Sequence, residues 1–493
     1  MNYRAVVNVL GKIMFMEGAL MILPLIVAII YGEYDTLIAF LIPIVILVSI
    51  GLAFGVKTPK NKMLLAKEGF MICGLAWIFM SAFGCLPFVI SGMIPNYLDA
   101  FFETVSGFTT TGSSILTKVE GNPYGLLFWR SFTNWIGGMG VITFLMAIVP
   151  QGDGQAMHLM RAEVPGPKAG KIVSKLTDTA RILYILYFIL TALEIIMLMF
   201  SGIGFYHSVV TAFATAGTGG FSVKGASIAG YHSPYVEYVV ATFMLLFGVN
   251  FNLYFFMILR KFKAVFQDTE LKVYLGMIIA SITLICINLL STGKMAFETA
   301  FRDSYFTVAS IVSTSGFVTA DFEQWSVFSK VILISLMFVG GMAGSTAGGM
   351  KVTRIVLYFK QMIRDIKQMV RPRQVMSVRI NKKSVDNSIL KGINTYLVIY
   401  VFILLASTLL VSIEGESLVT TFTAVVTCFN NVGPGMDGVG ATSNFAHLRS
   451  EERRVGKECR LSKIVLSFDM LAGRLEIFPM MILLIPSTWK RRV

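Results

Sequence analysis

Long apolar runs separated by short polar links dominate this 493-residue chain. A run of about 20 apolar residues can cross the hydrocarbon core of a bilayer as a helix. Stretches of roughly that length or more lie at 9–31, 37–56, 68–92, 124–149, 179–202, 234–259, 272–292, 324–358, 392–413 and 461–487. Four shorter apolar segments, at 98–109, 205–216, 298–312 and 417–429, suit a half-membrane helix and are too short to cross. The pattern predicts an all-α polytopic membrane protein.

Composition agrees with this fold class. Hydrophobic residues make up 55% of the chain, charged residues 14%, and the mean hydropathy is +0.72, which is outside the range of soluble globular proteins. The first apolar run is too long for the core of a cleavable signal, so we expect it to remain as a span. The five cysteines and four histidines show no metal-ligand spacing. We therefore expect no bound cofactor and no metal centre built from side chains.

Each short apolar segment ends at small or hydroxyl-bearing residues that lead into a glycine. The four glycines, Gly112, Gly220, Gly316 and Gly433, recur at intervals of about 100 residues. A long internal period indicates a symmetric architecture. We predict an N-terminal two-helix hairpin followed by four pseudo-symmetric repeats of span, pore helix, filter and span around one pore. The predicted units are 1–60 for the hairpin and 61–165, 166–268, 269–384 and 385–493 for the four pore repeats.

These stretches have the chemistry of an ion filter. Irregular backbone at membrane depth is tolerated only where it is buried in protein or lines a water-filled cavity, and a desolvated cation can satisfy its carbonyls. Glycine permits the positive-φ turns that direct successive carbonyls to one axis. One such stretch alone is more typical of close helix packing, but four behind short helices favour a filter. The predicted filter residues are Thr110, Thr111, Gly112, Thr218, Gly219, Gly220, Ser315, Gly316, Asn431, Val432 and Gly433.

The expected ion is monovalent and weakly hydrated, because no filter stretch carries the carboxylates that small divalent cations require. A pore helix that points its C-terminal end at the axis would add a bias toward cations. The predicted ion ligands are the backbone carbonyls of Thr111, Gly112, Gly219, Gly220, Ser315, Gly316, Val432 and Gly433.

The net charge of +14 is concentrated in a few links. Basic residues collect in 57–67, 150–178, 260–272 and 354–391, which all fall on one side of the predicted topology. The positive-inside tendency makes that side cytoplasmic, with both termini inside and the filters outside. Loop anchoring at a lipid surface explains this charge better than nucleic-acid binding. Acids collect on the opposite side, where we expect a negative vestibule: Asp99, Glu103, Glu120, Glu298, Asp321, Glu323, Glu414, Glu416 and Asp437.

Four phrases resemble one known family. They are Phe102–Gly112, Trp129–Gly140, Phe338–Lys351 and Gly473–Phe478. Together they resemble the Trk/Ktr/HKT potassium transporter superfamily over nearly the whole chain, and the N-terminal hairpin and length make its TrkH branch the closer match. The resemblance implies a potassium uptake protein of the bacterial cytoplasmic membrane, usually a homodimer, regulated by a cytoplasmic ring of nucleotide-binding (TrkA-like) subunits. Glycine at position 112 implies potassium preference, whereas serine there accompanies sodium permeation in some plant members.

A glycine-rich run interrupts the predicted span at 324–358. Five glycines weaken a helix there, since each costs up to ~1 kcal/mol relative to alanine. Tight helix packing through small residues is one interpretation. The resemblance implies another, an intramembrane gate beneath the filter, together with Arg474 as an electrostatic barrier in the pore. The predicted gate residues are Gly340, Gly341, Gly344, Ser345, Thr346, Gly348, Gly349 and Arg474.

Three charged features are less specific. Arg474 lies within an apolar span and needs a cavity or an acid, with an ion pair between repeats as the alternative. Arg130 is expected only to snorkel or to pair near the membrane interface. The basic segment 449–460 falls on the predicted outer side, against the positive-inside tendency, and is either an outer insertion or foreign to the natural chain.

Three functions remain open at this level. The first is gated potassium uptake, either channel-like or as a symporter coupled to another cation. The second is a sodium- or ammonium-permeable transporter of the same fold. The third is a membrane-embedded enzyme or scaffold, which is disfavoured because the chain has neither a midplane cluster of acids and histidines nor a GxxxxGK[ST] nucleotide loop. We predict a transporter and not an enzyme.

Overall fold

The computed structural model describes residues 2–56, 65–140, 176–292, 295–374, 376–448 and 461–489. Its secondary structure is almost entirely helical. The N-terminal part comprises α1 (Tyr3–Leu20), α2 (Ile22–Ile30) and α3 (Tyr34–Gly55). The next helices are α4 (Ala66–Gly84), α5 (Leu86–Ile90), α6 (Tyr97–Phe108), α7 (Tyr124–Gly138), α8 (Leu176–Met199), α9 (Phe205–Gly217), α10 (Pro234–Phe247) and α11 (Phe251–Ile258).

The remaining elements follow in the same alternation. They are α12 (Phe262–Phe266), α13 (Thr269–Ser291), α14 (Phe297–Val312), α15 (Val327–Val339), α16 (Val352–Val370), β1 (Arg379–Ile380), β2 (Lys383–Ser384), α17 (Asn387–Val411), α18 (Leu418–Phe429), α19 (Leu461–Arg474) and α20 (Phe478–Leu484). Strands β1 and β2 form one antiparallel hairpin in which Arg379 pairs with Ser384 and Ile380 with Lys383. Short 3-10 turns, such as Ser227–Tyr231 and Asp437–Val439, complete the loops after the filters.

Helices α1 and α3 form the N-terminal hairpin through small residues. A Cβ atom added to Gly51 of α3 would lie 2.4 Å from Cβ of Phe15, and one added to Gly11 would lie 2.7 Å from the backbone nitrogen of Gly55. Small residues permit this close backbone approach between membrane helices. Hydropathy had predicted one span at 9–31, and α1 and α2 together provide a 28-residue apolar unit, Tyr3–Ile30.

The four short segments form helices that do not cross a membrane. Helices α6, α9, α14 and α18 occupy almost the residue ranges that the apolar pattern predicts. They are buried over most of their length, and in α18 every residue from Val425 to Phe429 is buried. The long helices α3, α8 and α17 instead leave large apolar side chains such as Phe188 and Phe402 exposed, as expected for surfaces that face lipid. The pore helices therefore form the centre of the molecule.

The prediction of continuous second spans is wrong in three repeats. The predicted span 234–259 bends by 90° between α10 and α11. The span 324–358 is interrupted by residues 340–351, and 461–487 is interrupted between α19 and α20. Local features mark two of the breaks: Asn250 caps α11 by accepting from the Asn252 N–H at 3.0 Å, and Glu476 and Ile477 adopt positive φ of 59° and 68°. The break between α10 and α11 is also held from another repeat, because the Met342 N–H donates to the Gly248 carbonyl at 3.0 Å.

Six helices in the described ranges are long and apolar enough to cross a membrane, and the bent pair α10–α11 adds a seventh if it is one span. The hydropathy pattern predicts ten spans. The predicted span 124–149 extends past residue 140 and so lies partly outside the described residues, and the spans 324–358 and 461–487 fall into shorter helices. The helical content and the spans confirm the predicted fold class, an all-α multi-pass membrane protein. The boundaries proposed for the four repeats stay a prediction.

Candidate ion filter and the loop beneath it

The four filter stretches share one backbone conformation. The residue two positions before each filter glycine is in the left-handed region, with φ of 55° at Thr110, 56° at Thr218, 56° at Thr314 and 54° at Asn431. The glycines follow with φ of 84°, 66°, 78° and 103° at Gly112, Gly220, Gly316 and Gly433. Such alternation between residues of opposite handedness turns successive carbonyls toward the same side.

The same hydrogen bond recurs at the start of each filter. The residue before each glycine donates its backbone N–H to the carbonyl five residues earlier, near the end of the preceding pore helix. The pairs are Thr111 to Ser106, Gly219 to Ala214, Ser315 to Ser310 and Val432 to Thr427, each at 2.9 Å. Four equal distances on four different sequences show that the pseudo-symmetry applies to backbone geometry as well as to spacing.

The four glycines close a ring in space. A Cβ atom added to Gly112 would lie 2.3 Å from the Gly219 carbonyl oxygen, and one added to Gly220 would lie 2.0 Å from that of Ser315. One on Gly316 would lie 2.3 Å from the Val432 oxygen, and one on Gly433 would lie 2.8 Å from the Thr111 oxygen. Each repeat therefore contacts the next, and the fourth contacts the first. We call Thr110–Gly112, Thr218–Gly220, Thr314–Gly316 and Asn431–Gly433 the filter ring.

Glycine is required in this ring for two reasons. Each position has positive φ, which side-chain-bearing residues rarely adopt, and each Cβ position is already occupied by a carbonyl of the next repeat. The Ser315 oxygen also lies 3.7 Å from the Cβ position of Gly112 across the ring, so the carbonyls converge. Convergent neutral carbonyls can replace the hydration shell of a monovalent cation.

A cavity of about 190 Å³ opens on one side of the filter ring and touches all four glycines. Its described lining includes the basic residues Arg130 and Lys224 and no aspartate or glutamate. The expectation of an acidic vestibule is therefore wrong for this cavity, because the nearby acids serve as structural partners. Glu103 accepts from the Ile115 N–H at 2.9 Å, Asp99 pairs with Lys463, and Glu323 pairs with Lys330 at 3.0 Å.

Glu120 illustrates the same structural use of an acid at the edge of this cavity. Its carboxylate accepts the backbone N–H of Gly225. That hydrogen bond lowers the pKa of the Glu120 carboxyl below its ordinary value. The ionised carboxylate therefore ties the loop after the first filter to the loop after the second.

Arg130 has a more specific position than the sequence indicated. Its side chain is only 4% exposed, and its Nε lies 2.7 Å from a Glu103 carboxylate oxygen. The guanidinium also lies 3.7 Å from the ring centroid of Phe221 and donates to the Ser222 carbonyl at 3.0 Å. Of the two roles expected for Arg130, pairing is confirmed by Glu103, and snorkelling to the interface is wrong because the side chain is buried. Arg130 joins the first pore helix to the residues that follow the second filter.

The glycine-rich run forms a loop that lies against the filter ring. Helix α15 ends at Val339, α16 begins at Val352, and residues 340–351 between them are not helical. The Gly348 N–H donates to Thr314 Oγ1 at 2.6 Å, and the Gly349 N–H donates to the Asn430 carbonyl at 3.0 Å. We call residues 340–351 the glycine loop.

The glycine loop is also held by the second repeat and by α13. The Met342 N–H donates to the Gly248 carbonyl at 3.0 Å, at the break between α10 and α11. The Glu270 carboxylate accepts from the N–H groups of Ala343, at 2.7 Å, and Thr353, at 3.1 Å, so it holds both ends of the loop. This carboxylate on α13 is a functional candidate that the sequence did not single out, because its partners are backbone groups.

Arg474 joins the glycine loop to the first repeat. It donates to the Thr346 carbonyl at 2.6 Å and to the carbonyls of Gly137 at 2.6 Å and Gly138 at 2.5 Å. Glu476, close to it in sequence, instead pairs with Arg354, which also lies 4.1 Å from the Tyr396 ring centroid. The structure thus brings together Gly340, Gly341, Gly344, Ser345, Thr346, Gly348, Gly349 and Arg474 as one assembly, and their role in gating stays a prediction.

Some features lie elsewhere or outside the described ranges. Segment 449–460 and most of loops 57–67 and 150–178 are outside them. Cys73, Cys85, Cys286 and Cys428 are buried. Among the described residues, no group of three His, Cys, Asp or Glu side chains is arranged to hold a metal ion.

A ring of carbonyls at the ends of four half-membrane helices, inside a multi-pass helical protein, defines an ion-transport protein rather than an enzyme. The family model for TrkH, described as a cation transport protein, matches residues 37–491. The chain belongs to this TrkH family of cation transport proteins.

Individual relatives agree over the full length. The chain is 34% identical to the Trk system potassium uptake protein TrkH of Escherichia coli (strain K12), over 99% of this chain and 100% of that protein. It is 31% identical to the Trk system potassium uptake protein TrkG of the same strain, over 99% of both. The crystal structure of the potassium transporter TrkH from Vibrio parahaemolyticus superimposes with a TM-score of 0.87 at 28% identity, covering 99% of this chain and 100% of that one.

Proposed function

We propose that this protein takes up potassium across the bacterial cytoplasmic membrane through a gated selectivity filter formed by four loops of one chain. The observation that carries this proposal is the closure of the filter ring, in which each glycine lies against a carbonyl of the next repeat. A single chain thereby places neutral oxygens on four sides of one axis. Potassium is the proposed ion because the relatives are named for its uptake and the first filter carries Gly112.

The proposed gate is the glycine loop with Arg474. The loop lies against the filter ring through Gly348 and Gly349, and Arg474 places a guanidinium between Thr346 and Gly137. A cation that has passed the filter would meet this positive charge and the loop before it could leave. Movement of the loop away from Asn430 and Thr314 would open the path.

We propose that a partner protein controls the movement of the glycine loop. The described chain offers a basic surface on α16 and the β1–β2 hairpin, and Lys360 of α16 donates to the Arg379 carbonyl of β1 at 2.8 Å, so the two elements are joined. We infer that a cytoplasmic, nucleotide-binding, TrkA-like subunit docks there. The same inference includes cytoplasmic termini, assembly as a homodimer and, as the mode of transport, either channel-like flux or symport with another cation.

The test is potassium-dependent growth and potassium flux in an uptake-deficient bacterium, comparing the native chain with Gly112→Ser. Serine would place its Cβ 2.3 Å from the Gly219 oxygen at a φ of 84°, so we expect uptake to fall at least about tenfold or sodium to be admitted. Gly121→Ser is the matched control: Gly121 has a φ of 86°, yet no atom lies within 4 Å of its Cβ position.

Two outcomes would redirect the proposal. Reversal potentials in mixed potassium, sodium and ammonium solutions that favour sodium or ammonium in the native chain would support the alternative transporter. If Gly112→Ser and Gly121→Ser impaired growth equally, the filter ring would not explain the defect, because backbone strain alone would account for it.

A further inference from the structure

Glu270 holds the glycine loop and the first turn of α16 through one carboxylate oxygen. That oxygen accepts the N–H of Ala343 at 2.7 Å and the N–H of Thr353 at 3.1 Å. Hydrogen bonds to an ionised acceptor are stronger than those between neutral groups. The proposed gate, which consists of the glycine loop and Arg474, does not include Glu270. The position of this carboxylate therefore sets where one end of the loop lies.

The residues that begin α13 fix the position of Glu270. Asp268 is the N-cap of this helix, and its Oδ1 accepts the N–H of Leu271 at 2.9 Å. An N-cap side chain satisfies an N–H that has no partner within the helix, and it defines where the helix begins. Glu270 is the second residue of α13, so it moves with this first turn.

The tip of the β1–β2 hairpin is bonded to the same helical turn. Asn381 and Lys382 form the two-residue turn between the strands, with φ of 50° and 65°. Asparagine is favoured in hairpin turns that need positive φ. Asn381 Oδ1 accepts the N–H of Thr269 at 2.8 Å, and Asn381 Nδ2 donates to Asp268 Oδ2 at 2.7 Å. The amide of Asn381 thus joins the hairpin to the two residues that precede Glu270.

A cavity of about 330 Å³ lies between the hairpin and the glycine loop. Its lining includes residues of the hairpin, of α13 and of the loop: Asn381, Asp268, Glu270, Ala343 and Gly344. The hydrogen bonds along the wall of this open space connect the hairpin to the loop. We call Asn381, Asp268, Thr269 and Glu270 the hairpin link.

We propose that Asn381 and Glu270 are positioning residues through which the hairpin sets the position of the glycine loop. While the hairpin link is intact, Glu270 holds the loop against the filter ring. When a docked partner moves the hairpin, the first turn of α13 moves with it, and Glu270 releases the N–H of Ala343. This proposal rests on the proposed function of the glycine loop as a gate, and it adds the route by which a partner acts on that gate.

The test is basal potassium flux in proteoliposomes that contain the full chain and no partner. Glu270→Ala deletes both bonds to the loop and α16, and the loss of a charge-assisted hydrogen bond can shift an equilibrium about tenfold or more. We expect basal flux to rise at least about tenfold in this variant. The KM for potassium should stay unchanged, because the filter ring is not altered.

Asn381→Gly tests the other end of the hairpin link. Glycine adopts the positive φ of the turn, so the hairpin persists while both bonds to α13 are lost. Basal flux should rise severalfold, which is less than in Glu270→Ala. The double variant should match Glu270→Ala alone, because residues of one hydrogen-bond network have non-additive effects. Additive effects would show that the two residues act separately.

Two further variants separate positioning from a general structural role. Glu270→Gln keeps an oxygen that can accept the N–H of Ala343, so its basal flux should lie between those of the native chain and Glu270→Ala. Glu33→Ala is the matched control, because the Glu33 carboxylate also accepts two backbone N–H groups, those of Tyr124 and Gly125 at the start of α7. Glu33 lies between α2 and α3, and its removal should leave basal flux unchanged.

Addition of the purified partner and nucleotide completes the test. Asn381→Gly should still bind the partner, but its nucleotide response should be smaller than that of the native chain. A full nucleotide response in Asn381→Gly, native basal flux in Glu270→Ala, or an equal rise in Glu33→Ala would overturn the hairpin link. Potassium selectivity would persist in each of these cases, whereas a native chain without potassium selectivity would remove the proposed function itself. Monodisperse elution in detergent, measured for each variant, excludes misfolding as the cause of a changed flux.

Discussion

At the scale of single residues, the buried ion pair between Arg130 and Glu103 is expected to stabilise the fold more than an exposed ion pair of the same chemistry. Arg130→Ala leaves the Glu103 carboxylate buried without its charge partner. Breaking a buried pair in this way costs about 3–5 kcal/mol. We expect a clear loss of thermal stability in detergent together with reduced uptake, since the pair joins the first pore helix to the second filter.

The chain offers a matched control for this prediction. Lys330 and Glu323 form a pair at 3.0 Å in which each side chain is 26% exposed. Exposed pairs contribute about 0–1 kcal/mol, so Lys330→Ala should change the unfolding temperature little. Equal destabilisation by both substitutions would show that burial at Arg130 has no special importance.

Arg474 is the second residue for which the structure predicts a mutational effect, here an increase in basal ion flux. Arg474→Ala deletes hydrogen bonds to three carbonyls, and each charge-assisted bond contributes about 1.5–3 kcal/mol. A shift of about 1.4 kcal/mol changes an equilibrium tenfold, so the glycine loop should open at least about ten times more often. Single-channel or flux recordings without nucleotide should show raised basal conduction.

Arg474→Lys refines the same experiment. Lysine keeps the positive charge but lacks the planar fork that reaches carbonyls on two sides. Basal flux in this variant should lie between those of the native chain and Arg474→Ala. Native flux in Arg474→Ala would contradict the role of Arg474 as part of the gate.

At the scale of elements, the pore helices could be predicted almost residue by residue, whereas the broken spans could not. Segments 98–109 and 417–429 were predicted from length and apolarity, and α6 and α18 occupy Tyr97–Phe108 and Leu418–Phe429. Their ends coincide with a change from apolar to small polar residues, which is a local signal. A break such as that between α10 and α11 depends on backbone groups of another repeat, for example Met342 donating to Gly248, and hydropathy does not record such contacts.

The residues of the candidate site likewise divide into those that the sequence predicts and those that it does not. The filter glycines could be found because their residue type is dictated locally by positive φ. Glu270 and the position of Arg130 could not, because their importance comes from partners that are distant in sequence. The sequence therefore indicates where the backbone adopts positive φ, and the structure shows which side chains hold that backbone in place.

The glycine loop gives a prediction at this scale. Gly348→Ala would place a Cβ 2.4 Å from the Asn430 oxygen, and overpacking of this kind costs about 1–3 kcal/mol. The loop should be displaced from the filter ring, which changes basal flux and weakens regulation. Paired measurements of basal and nucleotide-stimulated uptake test this directly.

Gly392→Ala is the corresponding control in a helix. No atom lies within 4 Å of the Cβ position of Gly392 in α17, and alanine favours the helix by about 1 kcal/mol. Uptake should be unchanged and stability equal or higher. If Gly348→Ala changed neither uptake nor its regulation, the result would count against the glycine loop as a gate.

At the scale of the whole molecule, the basic surface on α16, beyond the proposed gate, is the proposed docking site for a regulatory partner. Lys367 and Arg371 are exposed at the end of α16, whose beginning follows the glycine loop. Reversing both charges to glutamate should abolish nucleotide-dependent stimulation and preserve basal uptake, because the filter ring is not altered. Binding of the purified partner to the variant, measured in detergent, provides an independent readout.

Lys261 and Lys263 supply the control for that experiment. They are exposed at the start of α12, between α11 and α13, where the same charge reversal changes the net charge equally. Regulation should survive there. If both double variants lose regulation alike, the effect reflects overall charge, and docking on α16 is not supported.

The junction between the fourth and first repeats has a consequence for how the protein is made. Asn431 donates to Thr111 Oγ1 at 2.9 Å across 320 residues of chain, and Ser113 donates to the Gly433 carbonyl at 3.2 Å. Lys463 reaches back to Asp99 over 364 residues. Nearly the whole polypeptide must therefore be synthesised before the fourth filter stretch is available to complete the filter ring. A product that ends before Asn431 cannot close the filter ring.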